Sequence, residues 1–329
     1  MHKKKLILGG PLFDGNTLSP RGTILIEGHK IVHTFADTIH MIDCEVIDVQ
    51  GRLIMPGLVD LHSDSLERSI EKRKGVFFDT DFAILNLDRQ AAACGITTFC
   101  HAVSFADNEL GLRSPTEAEK CVRTIKAFND SAQSLVKHMV HIRYEVGSEH
   151  SFKMVTRLVE DGLVDLVSIM DHTPGQGQFK SMASYIRFQS IEYQVPETMV
   201  LEKAKEKQAN NTRAWQMVSA LAQTVCAASI PMLSHDDDTC EKIDLISTLG
   251  IGACEFPVTL PAAEKAFSRG LKIFMGAPNL LRNQSTSGSL KASEVLAHQL
   301  CTGLLSDYYP ESLLQAAFLG QNFTNSPEA

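Results

Sequence analysis

After residue 57, short apolar runs alternate with helical stretches eight times. The runs are Leu58–His62, Ile96–Ser104, His138–Val146, Val164–His172, Ile230–Asp236, Ala253–Val258, Lys272–Pro278 and Gly303–Asp307. Continuous apolar runs flanked by helices are the pattern of parallel strands buried on both faces. Eight such units in 329 residues predict an α/β fold of the (β/α)8 TIM type, which fills this length as one domain from about 56 to 329. Ser114-Pro115-Thr116-Glu117 reads as a helix start, with Ala118, Cys121, Val122 and Ile125 on one buried face. Gly95, Gly162, Gly250 and Gly270 each stand where a helix should end before a strand. Between the fourth and fifth runs lies a helical insertion, about 173–229.

Residues 1–55 form a separate block. Lys5–Leu8, Thr23–Glu27, Lys30–Thr34 and Glu45–Val49 alternate with turn sequences and predict a small antiparallel sheet. Hydrophobic residues make up 44% of the chain and charged ones 21%, which excludes a disordered or fibrous protein. Lys+Arg 31 against Asp+Glu 39 leaves a net charge of −8, a poor balance for a nucleic-acid partner. No apolar stretch is long enough to span a membrane. Met1–Leu8 reads as a first strand rather than a signal peptide. Eight cysteines without a Cys-x-x-Cys pair suit reduced thiols in the cytoplasm.

Polar residues gather where the runs end, which in a barrel is one mouth. His62 and Asp64 are two apart, so they point the same way. With Glu145, His172, His235 and Asp307 they make three imidazoles and three carboxylates. That set suits divalent metal ions of the kind of Zn, Mn or Fe and is large enough for two of them. His101 stays open between hydrogen bonding and a site role. His141, early in its run, reads as structural, and one of Asp236 and Asp237 is expected to serve the site.

Met55-Pro56-Gly57-Leu58-Val59-Asp60-Leu61-His62-Ser63-Asp64 resembles the opening of the amidohydrolase superfamily. Further stretches are similar to one branch of it, the α-D-ribose 1-methylphosphonate 5-triphosphate diphosphatases of the carbon–phosphorus lyase pathway. They are Met170-Asp171-His172-Thr173-Pro174-Gly175-Gln176, Ser234-His235-Asp236-Asp237, Glu255-Phe256-Pro257, Met275-Gly276-Ala277-Pro278-Asn279 and Ser306-Asp307-Tyr308-Tyr309-Pro310. The resemblance implies a metal-dependent amidohydrolase barrel beside a small β-sandwich, of which residues 1–55 are half. The C-terminal strands that complete the sandwich are expected to be missing from this chain, exposing apolar surface suited to a homodimer contact. It implies metal ligands His62, Asp64, Glu145, His172 and His235, with Glu145 bridging, and Asp307 orienting or deprotonating water. Arg143, Lys180, Asp236, Asn279 and Arg282 are the expected substrate contacts. The implied reaction converts the ribose triphosphate to its 5-phosphate and pyrophosphate, with other phosphonate-pathway proteins as partners. Two other readings are open: C–N bond hydrolysis on the same metals, and an inactive truncated subunit. The chain departs from the branch at Arg282–Ser289, and has His101 where the branch has aspartate.

Overall fold

A computed structural model of the chain describes residues 4–107, 111–173, 181–193, 195–209, 211–285 and 288–323. The chain divides into two compact units, Met1–Leu58 and Val59–Ala329.

The first unit is a four-stranded sheet of β1 (Lys4–Phe13), β2 (Leu18–Glu27), β3 (Lys30–Phe35) and β4 (Glu45–Asp48), in the order β3-β2-β1-β4. It is mixed, not antiparallel throughout. β1 pairs antiparallel with β2, but β4 returns parallel to β1. The nine residues between β3 and β4 allow that return, whereas a tight turn would have forced a hairpin. Alternation along β1 sends Leu6 and Leu8 to one face, with Leu25, and Ile7 to the other, with Ile24 and Ile54. Gly10 is required by space: a Cβ there would lie 2.0 Å from the Arg52 carbonyl oxygen.

The second unit is an eight-stranded parallel barrel. Its strands are β5 (Leu58–Ser63), β6 (Ile96–Phe105), β7 (Lys137–Glu145), β8 (Leu166–Met170), β9 (Met232–His235), β10 (Ala253–Glu255), β11 (Lys272–Gly276) and β12 (Gly303–Leu305). Each neighbours the next in sequence. All eight expected strands are present, several shorter than their apolar runs. Leu166, Leu233 and Ala253 pack inside it with Leu61 and Phe274, a layer of the interdigitated kind that fills such barrels.

Helices alternate with the strands. Ser114 caps the helix Pro115–Asn129, accepting from the Glu117 amide, and Ala118, Cys121, Val122 and Ile125 are its buried face. Gly95 and Gly270, both at φ +78°, end their helices in the left-handed conformation expected of them. The connection from β8 to β9 carries the helices Met182–Tyr193, Glu197–Ala209 and Asn211–Ala227. Among the described residues no helix is long and apolar enough to cross a membrane.

The barrel closes at its mouth. Ser63 bridges Asp307 in parallel, the Asp64 amide donates to the Asp307 carbonyl at 2.6 Å, and the Asp307 amide donates to the His62 carbonyl at 3.1 Å. Asp60, fully buried, accepts from the Ser306 amide at 3.1 Å. Its carboxylate ties the first barrel strand to the last, directly beneath the metal-ligand candidates. Asp60→Ala should leave the Ser306 amide unsatisfied and lower stability by about 1–3 kcal/mol. Asp60→Asn keeps an acceptor oxygen and should lose clearly less. Thermal melts of the two variants would decide, and equal melting temperatures would remove Asp60 from the closure.

Candidate metal centre

His62 lies at the centre of the mouth. It belongs to two groups whose donor atoms approach closely enough to share a cation: His62, His141 and Glu255, and His62, Asp64 and Asp307. The His62 Nδ1 is 3.2 Å from Glu255 Oε1, and its Nε2 is 3.6 Å from Asp64 Oδ1. Burial opposes a charged imidazole, but Glu255 and Asp64 outweigh it and raise the His62 pKa to about 10. The carboxylates thus demand positive charge at this point, and a divalent ion answers the same demand more strongly than a proton.

The surrounding groups have assignable protonation states. His141 places Nδ1 2.8 Å from the Leu61 carbonyl, which only accepts. Nδ1 therefore carries the proton, and Nε2 is a bare acceptor 2.9 Å from Ser168 Oγ and 3.8 Å from Glu255 Oε2. Burial keeps that ring neutral, lowering its pKa to about 4. Burial opposes the Glu255 charge, but the charged His62 beside Oε1 outweighs it and lowers the pKa to about 2. Arg143 donates to both oxygens of Asp64, at 2.8 and 3.0 Å. With His62 it overcomes burial and holds that carboxylate well below its usual range. Asp307 goes the other way: burial, then repulsion by Asp64, raises its pKa to about 6.

These residues fit a metal. They are nitrogen and oxygen donors, suited to a hard or borderline divalent ion. His62 Nε2 and Glu255 Oε2 are buried without a hydrogen-bond partner, the state of donor atoms built to face a cation.

The expected ligands divide. His62 and Asp64 join Asp307 in one group, and His235 stands beside His62 with ring centroids 5.4 Å apart. Glu145 and His172 form a pair of their own, His172 Nδ1 lying 2.7 Å from Glu145 Oε2, outside both groups. The other group contains Glu255, which the sequence reading did not single out, and His141, which it read as structural. The signal for His141 was present, because it shares a strand face with Arg143 and Glu145. His101 faces away from the mouth. It pairs with His138 at 2.7 Å, and His138 with Asp88 at 3.0 Å, Asp88 lying on the helix Thr80–Ala93. That chain is buried between barrel and helix.

Next to the ligand groups is a cavity of about 270 Å³, lined among others by Arg68, Arg143, Asp236, Asn279, Asp307 and Tyr308. Asp236 is 3.3 Å from His235 Nδ1, and against the effect of burial that ring lowers its pKa to about 2. Asn279 accepts from the Ala292 amide and donates to the Leu290 carbonyl, so it pins the loop after its helix. Arg282 is exposed and donates to the Tyr308 hydroxyl at 3.5 Å. Lys180 lies outside the described residues.

No family model matches the chain. It is 34% identical over 276 residues to the α-D-ribose 1-methylphosphonate 5-triphosphate diphosphatase of Escherichia coli strain K12, across 83% of this chain and 73% of that protein. This chain belongs to the amidohydrolase superfamily. Its relation to that diphosphatase places it among metal-dependent, barrel-fold hydrolases. Solved amidohydrolase structures share the fold. An N-isopropylammelide isopropylaminohydrolase from Burkholderia multivorans matches with a TM-score of 0.58 and 15% identity over 98% of this chain and 81% of that one. A dihydropyrimidinase from Brevibacillus agri matches at 0.53 and 12% over 96% and 76%.

Glu255→Gln keeps the shape of the side chain and removes its charge. Metal affinity should fall about tenfold or more, read as metal per chain by mass spectrometry after dialysis against graded chelator. Metal content equal to the unsubstituted protein would exclude Glu255 from the centre.

Proposed function

We propose that this chain hydrolyses α-D-ribose 1-methylphosphonate 5-triphosphate to the 5-phosphate and pyrophosphate, using two divalent ions. The observation carrying the reading is the 34% identity to a diphosphatase over 83% of the chain. His62 and Asp64 would hold one ion and His141 and Glu255 the other, since a neutral imidazole offers one free nitrogen; the ions would supply Lewis-acid charge and more acidic water.

The chain's own residues do the rest. Asp307, with its raised pKa, is matched to take a proton from the attacking water near neutral pH. Oxygen of that water bonds to the α-phosphorus. The bond from the α-phosphorus to the α,β-bridging oxygen breaks, and pyrophosphate leaves with that oxygen and the electron pair. Arg143, hydrogen-bonded to both Asp64 oxygens, orients that ligand rather than reaching for phosphate. Asn279 shapes the cavity through the loop it pins.

Phosphorus NMR of the metal-loaded protein with this triphosphate should show pyrophosphate and a ribose 5-phosphate. In 18O-water the label should enter the 5-phosphate and not the pyrophosphate. Absence of turnover, with ammonia or acetate released from an amide substrate instead, would overturn the reading.

Asp307→Asn should lower activity by about 10²–10⁴ with metal largely retained. The sign of the pH dependence follows from the role. A base with a raised pKa works above that pKa and is lost as pH falls through it. Activity should therefore decline with unit slope below an apparent pKa at or under about 6, because a bound cation pulls the value down. Full activity in Asp307→Asn would refute the role.

A further inference from the structure

We propose that Arg68, Tyr308 and Arg282 form a diphosphate subsite at the rim of the cavity, which holds the leaving group. The inference rests on the phosphoanhydride reading above. Arg68 lies one helical turn beyond Asp64, on the helix Ser65–Ile70, and Tyr308 directly follows Asp307. The two elements that carry a metal-ligand candidate and the candidate base therefore each extend outward to one member of this group. The Arg68 guanidinium lies 4.9 Å from the Tyr308 ring centroid. Arg282, outside the cavity lining, reaches the same residue and donates to its hydroxyl at 3.5 Å. Both Arg68 and Tyr308 line the cavity, with Ser285 and Ser289 beside them.

The charge distribution singles out these two arginines. Arg143 is committed to Asp64, and Lys242 to Asp237 at 3.2 Å. Among the described residues neither Arg68 nor Arg282 pairs with a carboxylate. Each is exposed, yet each is held by one aromatic side chain. Stacking on a ring leaves the edge of a guanidinium open, and that edge presents the parallel donors that match phosphate oxygens. Asp64, Asp236 and Asp307 line the same cavity and repel terminal phosphates, so cations at the rim are needed where those phosphates lie. A substrate with a triphosphate at one end and a single methylphosphonate at the other offers two sources of phosphorus oxyanion. Two guanidinium groups converging on one tyrosine match the more highly charged diphosphate.

The test uses the full metal-loaded chain and isothermal titration with three probes: inorganic pyrophosphate, orthophosphate and methylphosphonate. Arg68→Met should weaken pyrophosphate binding tenfold or more and leave the other two probes within twofold. Arg68→Lys, which keeps the charge but loses the planar fork, should fall between. Thermal melts matched to the unsubstituted protein confirm that the exposed substitution is folded. Unchanged pyrophosphate affinity, or no pyrophosphate binding by the unsubstituted protein, overturns the subsite. A loss confined to methylphosphonate also overturns it, because the rim then serves the other end of the substrate. Phosphorus NMR with the triphosphate keeps the two readings apart. Arg68-dependent pyrophosphate binding without hydrolysis supports the subsite and removes the proposed reaction. Hydrolysis with Arg68-independent pyrophosphate binding removes the subsite alone.

Discussion

The mouth of this barrel depends on compensating the buried charge around His62. Glu255 is fully buried, and Asp64 and Asp307 approach the same imidazole from the other side. Unpaired carboxylates in such a place are costly. Each neighbouring group is arranged around that problem. Arg143 takes both oxygens of Asp64, burial keeps His141 neutral, and burial, then repulsion by Asp64, raises Asp307 toward neutral pH. One arrangement therefore produces a cation site and, beside it, a carboxyl poised as a base.

The backbone contributes strain at the same place. Asp236, Phe256 and Asp307 take left-handed φ values of 54°, 52° and 57°, each just past the end of a barrel strand. For residues with a Cβ this costs of order 1–3 kcal/mol each. It turns the chain sharply after His235, Glu255 and Ser306 and keeps those ends crowded around one point. Other bonds offset the strain. The Asp236 amide donates to the Glu255 carbonyl and the Phe256 amide to the Phe274 carbonyl. Lys242, buried, holds Asp237 at 3.2 Å and donates to the His235 carbonyl at 3.4 Å. Asp60 does the equivalent for the seam between β5 and β12.

The barrel was legible because each of its eight strands is a short apolar run, and a parallel sheet covered on both faces leaves no other pattern. His62 and Asp64 were legible because alternation on a strand puts both on one side. The centre was harder to read. Glu255 comes from a three-residue strand and has no nearby histidine in sequence, so only tertiary closure brings it to His62. His141 looked too early in its run, yet β7 is long enough for both 141 and 145 to reach functional groups. Glu145 and His172, at two neighbouring strand ends, meet each other at 2.7 Å beside the two groups. The parallel return of β4 was invisible because pairing direction depends on the path of a connection, not on strand composition.

Anion recognition in a chain of net charge −8 is governed by local charge. Cations at the floor of the mouth are occupied by carboxylates, and that occupation is what makes the floor a metal site. An arginine released from such a pairing to grip substrate would leave Asp64 buried and uncompensated. The group that orients a metal ligand therefore cannot also serve a terminal phosphate without weakening the centre. In the proposed reaction, that separation leaves Arg143 to position Asp64. The guanidinium groups available to an incoming phosphorus oxyanion lie farther out, on Arg68 and Arg282, where solvent keeps them charged without a carboxylate partner.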